Sequence, residues 1–232
     1  MLSHDYKCIF IHIPKVAGQS IEHVFLNWHG LTWETRAPLL LRPNDDPALG
    51  PPRLAHLKAS EYVSCGHVSQ EQFDSYFKFS FVRNPYSRLV SIYKYLGYSE
   101  QMPFKLFLKT DFRDEGRWEP KLFVESQYSY LFDDDGKQLV DYIGRFEDLQ
   151  SGFNHVCEKI GKPETTLPFV NKTDSNISRH GALKKIIKQI SPLHKNYAIN
   201  GNYTEYYDDE SRQLATKMYE KEIEIFKYRF GD

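Results

Sequence analysis

Phe79-Ser80-Phe81-Val82-Arg83-Asn84-Pro85-Tyr86-Ser87-Arg88-Leu89-Val90-Ser91 decides the fold. Lys78 to Val82 is apolar enough for a buried strand, Asn84 is placed as a helix cap, and Pro85 suits the first helical position. Leu89, Ile92 and Tyr93 then give the following helix a buried face. A second stretch repeats this strand–turn–helix grammar: Ile9-Phe10-Ile11-His12-Ile13-Pro14-Lys15-Val16-Ala17-Gly18-Gln19-Ser20. Here Lys7 to Ile13 reads as a central parallel strand. Ser20 is the expected cap of a helix with Ile21, Val24, Phe25 and Trp28 on one face. Each turn offers a cation, hydroxyls and amides at a helix N-terminus, where the first N–H groups lack partners and the dipole is positive. Two such sites imply a nucleotide charged at both its 5′ and 3′ positions.

Other elements follow the same alternation. Tyr62–Gly66 is read as a further strand, Gln70–Tyr76 as a short helix, and Leu139–Phe146 as a strand pair or one bent strand after an Asp133–Gly136 turn. Helices are expected at Phe104–Thr110, Glu119–Leu131 and Asp148–Ile160, and a long one at Tyr206–Phe226 with Leu214, Met218 and Ile225 on its stripe. Five prolines between Ala37 and Pro52 make that region a long loop, extending to residue 60, that suits a substrate-side lid. Strands alternating with helices predict an α/β, P-loop-NTPase-like three-layer fold. Its mostly parallel central sheet is flanked by helices, in one domain over residues 1–232, with ligands at the strands' carboxyl ends.

Composition narrows the function. A net charge of −1 argues against a general nucleic-acid binder. The basic run from Asn171 to Lys195 reads as a solvated helix face more readily than as a polyanion site. Cys8, Cys65 and Cys157 have no metal-ligand spacing, with Cys8 and Cys65 in strand-like runs, so no metal is expected and a reducing compartment fits. No signal peptide or membrane-length run is visible, which predicts a soluble, cytoplasmic chain. Aromatic residues make up 15% of the sequence, enough for both core packing and sugar stacking, with Trp33, Tyr95, Tyr98, Phe112 and Trp118 as stacking candidates.

The Lys15 turn is not a Walker A sequence, because no Gly-Lys-Ser/Thr step precedes the helix. A cation early in the loop with a hydroxyl at the helix start suits neutralising a leaving phosphate without metal. Arg83 can grip a phosphate with both arms of its fork. Ser91, two helical turns on, can add a donor, and Ser87 and Arg88 compete for that contact.

At these residues the chain resembles the nucleotide-dependent sulfotransferases, in the branch of the carbohydrate 2-O-sulfotransferases and their bacterial relatives. His12–Ser20 is similar to that family's 5′-phosphosulfate loop, although Val16-Ala17-Gly18-Gln19 departs from its commonest wording, and Phe81–Tyr93 is similar to its 3′-phosphate motif. Likeness extends through Tyr142-Ile143-Gly144-Arg145-Phe146-Glu147 to Tyr219–Tyr228. The resemblance implies 3′-phosphoadenosine 5′-phosphosulfate (PAPS) as donor, 3′-phosphoadenosine 5′-phosphate as product, and no metal. It implies Lys15 on the departing phosphate oxygen, the Ala17, Gly18, Gln19 and Ser20 amides with the Ser20 hydroxyl on the same phosphate, and Arg83 and Ser91 on the 3′-phosphate. Lys172 and Thr173 match a donor-closing segment. The acceptor would be a hydroxyl on a glycan or glycolipid.

A hydroxyl acceptor gains from a base, and His67 in Ser64-Cys65-Gly66-His67-Val68-Ser69, after the expected Tyr62–Gly66 strand, is the first candidate. The Gly-His-Val-Ser string also resembles the segment carrying the base in the carbohydrate 2-O-sulfotransferases. His12 reads as a packed core or supporting histidine. His56, His180 and His194 are reserves, with Glu22 and Glu61 as carboxylate alternatives. Two other readings compete: a P-loop-type nucleotide kinase or hydrolase, and a non-catalytic nucleotide- or glycan-binding module.

Overall fold

The structure is a computed structural model that describes residues 1–112, 116–169 and 196–232. Its sheet has four strands in the order β1 (Leu2–Ser3), β2 (Cys8–Ile11), β3 (Phe77–Val82), β4 (Tyr142–Arg145). β1 pairs antiparallel with β2, and the other two pairings are parallel. Ile11 stands opposite Ser80 and Val82 opposite Arg145, so the chain leaves all three parallel strands along one edge. The Ser80 hydroxyl reinforces this alignment by donating to the Ile11 carbonyl at 2.6 Å.

Helices flank the sheet: α1 (Gly18–Trp28), α2 (Glu61–Ser64), α3 (Gln70–Ser75), α4 (Pro85–Tyr95), α5 (Phe104–Leu108), α6 (Trp118–Val124), α7 (Gln127–Leu131), α8 (Leu149–Lys159), α9 (Asp209–Met218) and α10 (Glu220–Phe226). One apolar core wraps the sheet with α1, α3 and α8, and a second joins α4, α5 and α9. Where β4 and α8 meet β3 the fit is close. A methyl at Gly144 or Gly152 would stand 2.4 or 2.7 Å from the Phe81 ring, so both positions must lack a side chain.

Leu89, Ile92 and Tyr93 are fully buried on α4 as their spacing predicts, and the Asn84 side chain caps the helix by accepting from the Tyr86 amide at 3.1 Å. The Asp133–Gly136 turn closes through the Gly136 amide, 3.1 Å from the Asp133 carbonyl. The Ala37–Pro52 loop carries 3-10 turns at Ala37–Leu39 and Pro47–Leu49, followed by another at Leu54–His56.

Four expectations are corrected. The helix expected over Glu119–Leu131 is two, α6 and α7, because the chain turns extended at Glu125 (φ −58°, ψ 146°) and Ser126 caps a new helix. Tyr62–Gly66 is not a strand: Glu61–Ser64 forms one helical turn, Cys65 caps its end, and Gly66 takes a positive φ of 75°. A short apolar run cannot be assigned from periodicity, and here Tyr62 is buried in the sheet core, its hydroxyl accepting from the Met1 ammonium at 2.6 Å. Ser20 does not cap α1, because the helix starts at Gly18 after Ala17 in the left-handed region; Ser20 lies in the first turn, its amide 3.0 Å from the Ala17 carbonyl. The C-terminal helix breaks at Tyr219 (φ −125°, ψ 26°), which changes the phase of its buried face. Ala215, Tyr219, Glu222 and Phe226 are buried, whereas Met218 and Ile225 are exposed.

Candidate active site

The carboxyl edge of β2 and β3 brings the two quoted turns into contact. After β2, Lys15 and Ala17 both adopt positive φ, 71° and 64°. Residues with a Cβ pay for that conformation, so the tertiary structure must hold the loop in shape. The turn delivers α1 with no side-chain cap and no acidic residue in its first turn. Among the described residues the amides of Ala17 and Gly18 find no backbone acceptor. An eleven-residue helix thus presents uncapped donors and its positive dipole end.

Lys15 places its ammonium 3.9 Å from the centroid of the Tyr95 ring. Burial, with the Arg83 charge as a second cause, pulls its pKa down to about 8. From the end of β3, Arg83 donates through Nη1 to the Lys15 carbonyl at 3.3 Å, and through Nε and Nη2 to the Ser87 hydroxyl at 3.0 and 2.8 Å. Its guanidinium lies 4.2 Å from the Phe146 ring at the end of β4. Burial lowers its pKa to about 10. Among the described residues neither Lys15 nor Arg83 forms an ion pair with a carboxylate. Glu147 offsets part of the Arg83 charge, yet two partly desolvated cations near an uncapped helix start still favour an anion.

Ser91 lies one helical turn beyond Ser87, on the face that starts at Arg83; it is half-buried, and its hydroxyl makes no hydrogen bond among the described residues. Arg88 does not compete for that face. It is fully buried, donating to the carbonyls of Pro14 at 3.1 Å, Phe123 at 2.7 Å and Glu125 at 2.9 Å. Among the described residues its Nη1 has no hydrogen-bond partner. Arg88 therefore braces the Lys15 turn from below, and Ser87 is already engaged by Arg83.

The Arg83–Asn84 turn is itself held by residues that sequence reasoning did not single out. Gln127 accepts from the Arg83 amide at 2.9 Å and donates to its carbonyl at 2.8 Å. Buried Glu222 in turn accepts from the Gln127 amide at 2.6 Å, the Gln127 side chain at 3.0 Å and the Ser126 hydroxyl at 2.7 Å. Glu147 accepts from the Asn84 amide and the Tyr228 hydroxyl, each at 2.8 Å. Glu147 sits just past β4, a position that could have flagged it. Gln127 and Glu222 carry no local signal.

His67 follows α2 rather than a sheet strand. It is half-buried, with Nε2 donating to the Leu49 carbonyl at 2.8 Å and its ring edge-on to Tyr62 at 6.4 Å. His12 lies under the Lys15 loop, and His56 donates from Nδ1 to the His12 carbonyl at 2.8 Å. Burial and the His12 charge lower the His56 pKa well below the ordinary histidine value. Of the aromatic candidates, Tyr98 and Phe112 are core residues, Trp33 and Trp118 are half-buried, and Tyr95 is 57% exposed. Lys172, Thr173, His180, His194 and the basic run lie outside the described residues.

The model of the sulfotransferase family matches residues 1–229. The chain belongs to the sulfotransferase family. As a sulfotransferase it is a transferase of sulfuryl groups, on a mixed α/β, P-loop-like fold. It is also similar to an uncharacterized protein of Archaeoglobus fulgidus, 31% identical over 100 residues that span 42% of this sulfotransferase and 78% of that relative. No solved structure matches it. Among the described residues no helix of the sulfotransferase is long and apolar enough to cross a membrane.

Proposed function

We propose that this sulfotransferase moves a sulfuryl group from PAPS to a hydroxyl of a glycan or glycolipid, leaving 3′-phosphoadenosine 5′-phosphate. The observation that carries the reading is the contact between Lys15 and Arg83, two neighbouring cations that form no carboxylate ion pair among the described residues, at an uncapped helix start. A nucleotide with separate 5′ and 3′ anionic groups suits that pair. When bound, the donor supplies an activated sulfuryl group whose leaving group is a phosphate. Lys15 neutralises charge at the 5′ end, the amides of Ala17, Gly18 and Gln19 and the Ser20 hydroxyl hold the same end, and Arg83 and Ser91 hold the 3′-phosphate. Lys172 and Thr173 complete the donor site in this reading. No step calls for a metal.

His67 accepts the acceptor's proton in this proposal. Because Nε2 donates to Leu49, Nδ1 is the ring nitrogen left to act as base. A second base is favoured by one observation. His56 keeps Nε2 unprotonated while Nδ1 donates to His12, and it contacts Phe123, which stacks on Tyr95, the ring beneath the Lys15 ammonium. Transfer of labelled sulfuryl from PAPS to a panel of glycans and glycolipids, run on His67→Ala and His56→Ala, decides between them. Wild-type turnover in His67→Ala would remove that residue from the chemistry. Binding of the bisphosphate product with no transfer to any acceptor would leave a nucleotide-binding module instead.

A further inference from the structure

Beneath the Lys15 loop lies a buried unit that the proposed contacts do not use. His12 Nδ1 donates to Glu22 Oε1 at 2.6 Å, with side-chain exposures of 8% and 3%. One face of the imidazole stacks on Phe10 with centroids 5.5 Å apart. The ring also packs against Gly18: a β-carbon there would stand 2.2 Å from both Cδ2 and Nε2. Gly18 and Glu22 are one turn apart on α1, so the helix that begins at the loop straddles the ring. The His12 carbonyl meanwhile receives the His56 hydrogen bond from the Leu54–His56 turn. A carboxylate–imidazole pair out of water is expensive compared with an apolar filler of the same size, so packing alone does not explain it.

We infer that His12, oriented by Glu22, is a positioning residue for the loop, fixing where the Ala17 and Gly18 amides stand and hence the grip on a 5′-phosphate. The inference rests on the proposed nucleotide reading. It assigns His12 no contact with ligand; the ring acts through Gly18, and it leaves the Arg83 end of the site untouched.

The experiment is calorimetric titration of the full chain with two ligands, adenosine 3′,5′-bisphosphate and adenosine 3′-monophosphate, for wild type, His12→Phe, His12→Asn and Glu22→Gln. His12→Phe fills the space but removes the link to Glu22. It is expected to weaken the bisphosphate at least about tenfold while changing the monophosphate less than about twofold. His12→Asn, which can still donate to Glu22, should recover part of the loss. If His12→Phe fails to fold, the isosteric Glu22→Gln carries the same comparison. Equal affinities, or parallel losses for both ligands, would overturn the role of His12 while leaving the nucleotide reading intact. A wild-type chain that binds neither ligand would overturn the nucleotide reading, and this role with it.

Discussion

Lys15 is asked to carry charge where water is scarce, and its lowered pKa of about 8 measures that conflict. In the free enzyme the ammonium is lost as pH rises through that value, so kcat/KM for the donor should fall above about pH 8; a flat profile to pH 10 would dissociate Lys15 from donor capture. Stability runs the other way. The folded value lies below the unfolded 10.5, so between the two the unfolded chain binds more protons and this group's contribution to stability rises with pH. Lys15→Met should therefore abolish transfer yet raise Tm by about 2–4 °C, for about 1 kcal/mol, in a thermal scan at pH 7. Arg83→Lys keeps a charge but loses the fork that grips Ser87 while reaching Lys15. Its affinity for the bisphosphate should drop at least about tenfold by calorimetry.

At the scale of elements, what could be read from the sequence was whatever packs locally. The β3–Asn84–Pro85–α4 passage was legible because cap, proline and apolar spacing agree with the fold. The end of β2 was legible because a run of β-type apolar residues meets a turn. The 61–66 stretch was not, since six residues give no clear period and Tyr62 is buried by packing into the sheet core, with Met1 and Phe10 at its hydroxyl. In the site, the cations and hydroxyls could be read from the two motifs. The Gln127–Glu222 brace could not, because its partners are 95 residues apart and meet only after α7 and α10 pack. That brace yields a prediction. Glu222→Ala leaves the Gln127 amide and side chain without an acceptor, and should cost about 2–3 kcal/mol in urea unfolding while loosening the Arg83 turn. Gly144→Ala should be destabilising by about 1–3 kcal/mol, because the methyl would collide with the Phe81 ring in the sheet core.

Across the whole molecule, the candidate site draws on two separate apolar cores. The sheet core supplies the Lys15 loop, while α4 of the second core carries Ser87 and Ser91. A ligand that spans both should stabilise the chain as a unit. At about one hundred times its dissociation constant the bisphosphate should add about 2.7 kcal/mol and raise Tm by about 5–10 °C. A monophosphate lacking either end should give a smaller rise at the same molar excess, since it leaves one cation unpaired.

The bond from Arg83 to the Lys15 carbonyl has a cost for turnover. The residue proposed to hold the far phosphate also splints the peptide that carries the reactive ammonium, so grip and chemistry share one joint. Any substitution that loosens the nucleotide to hasten product departure will also let the lysine drift. This enzyme cannot be tuned for faster release at that joint without slowing the transfer itself.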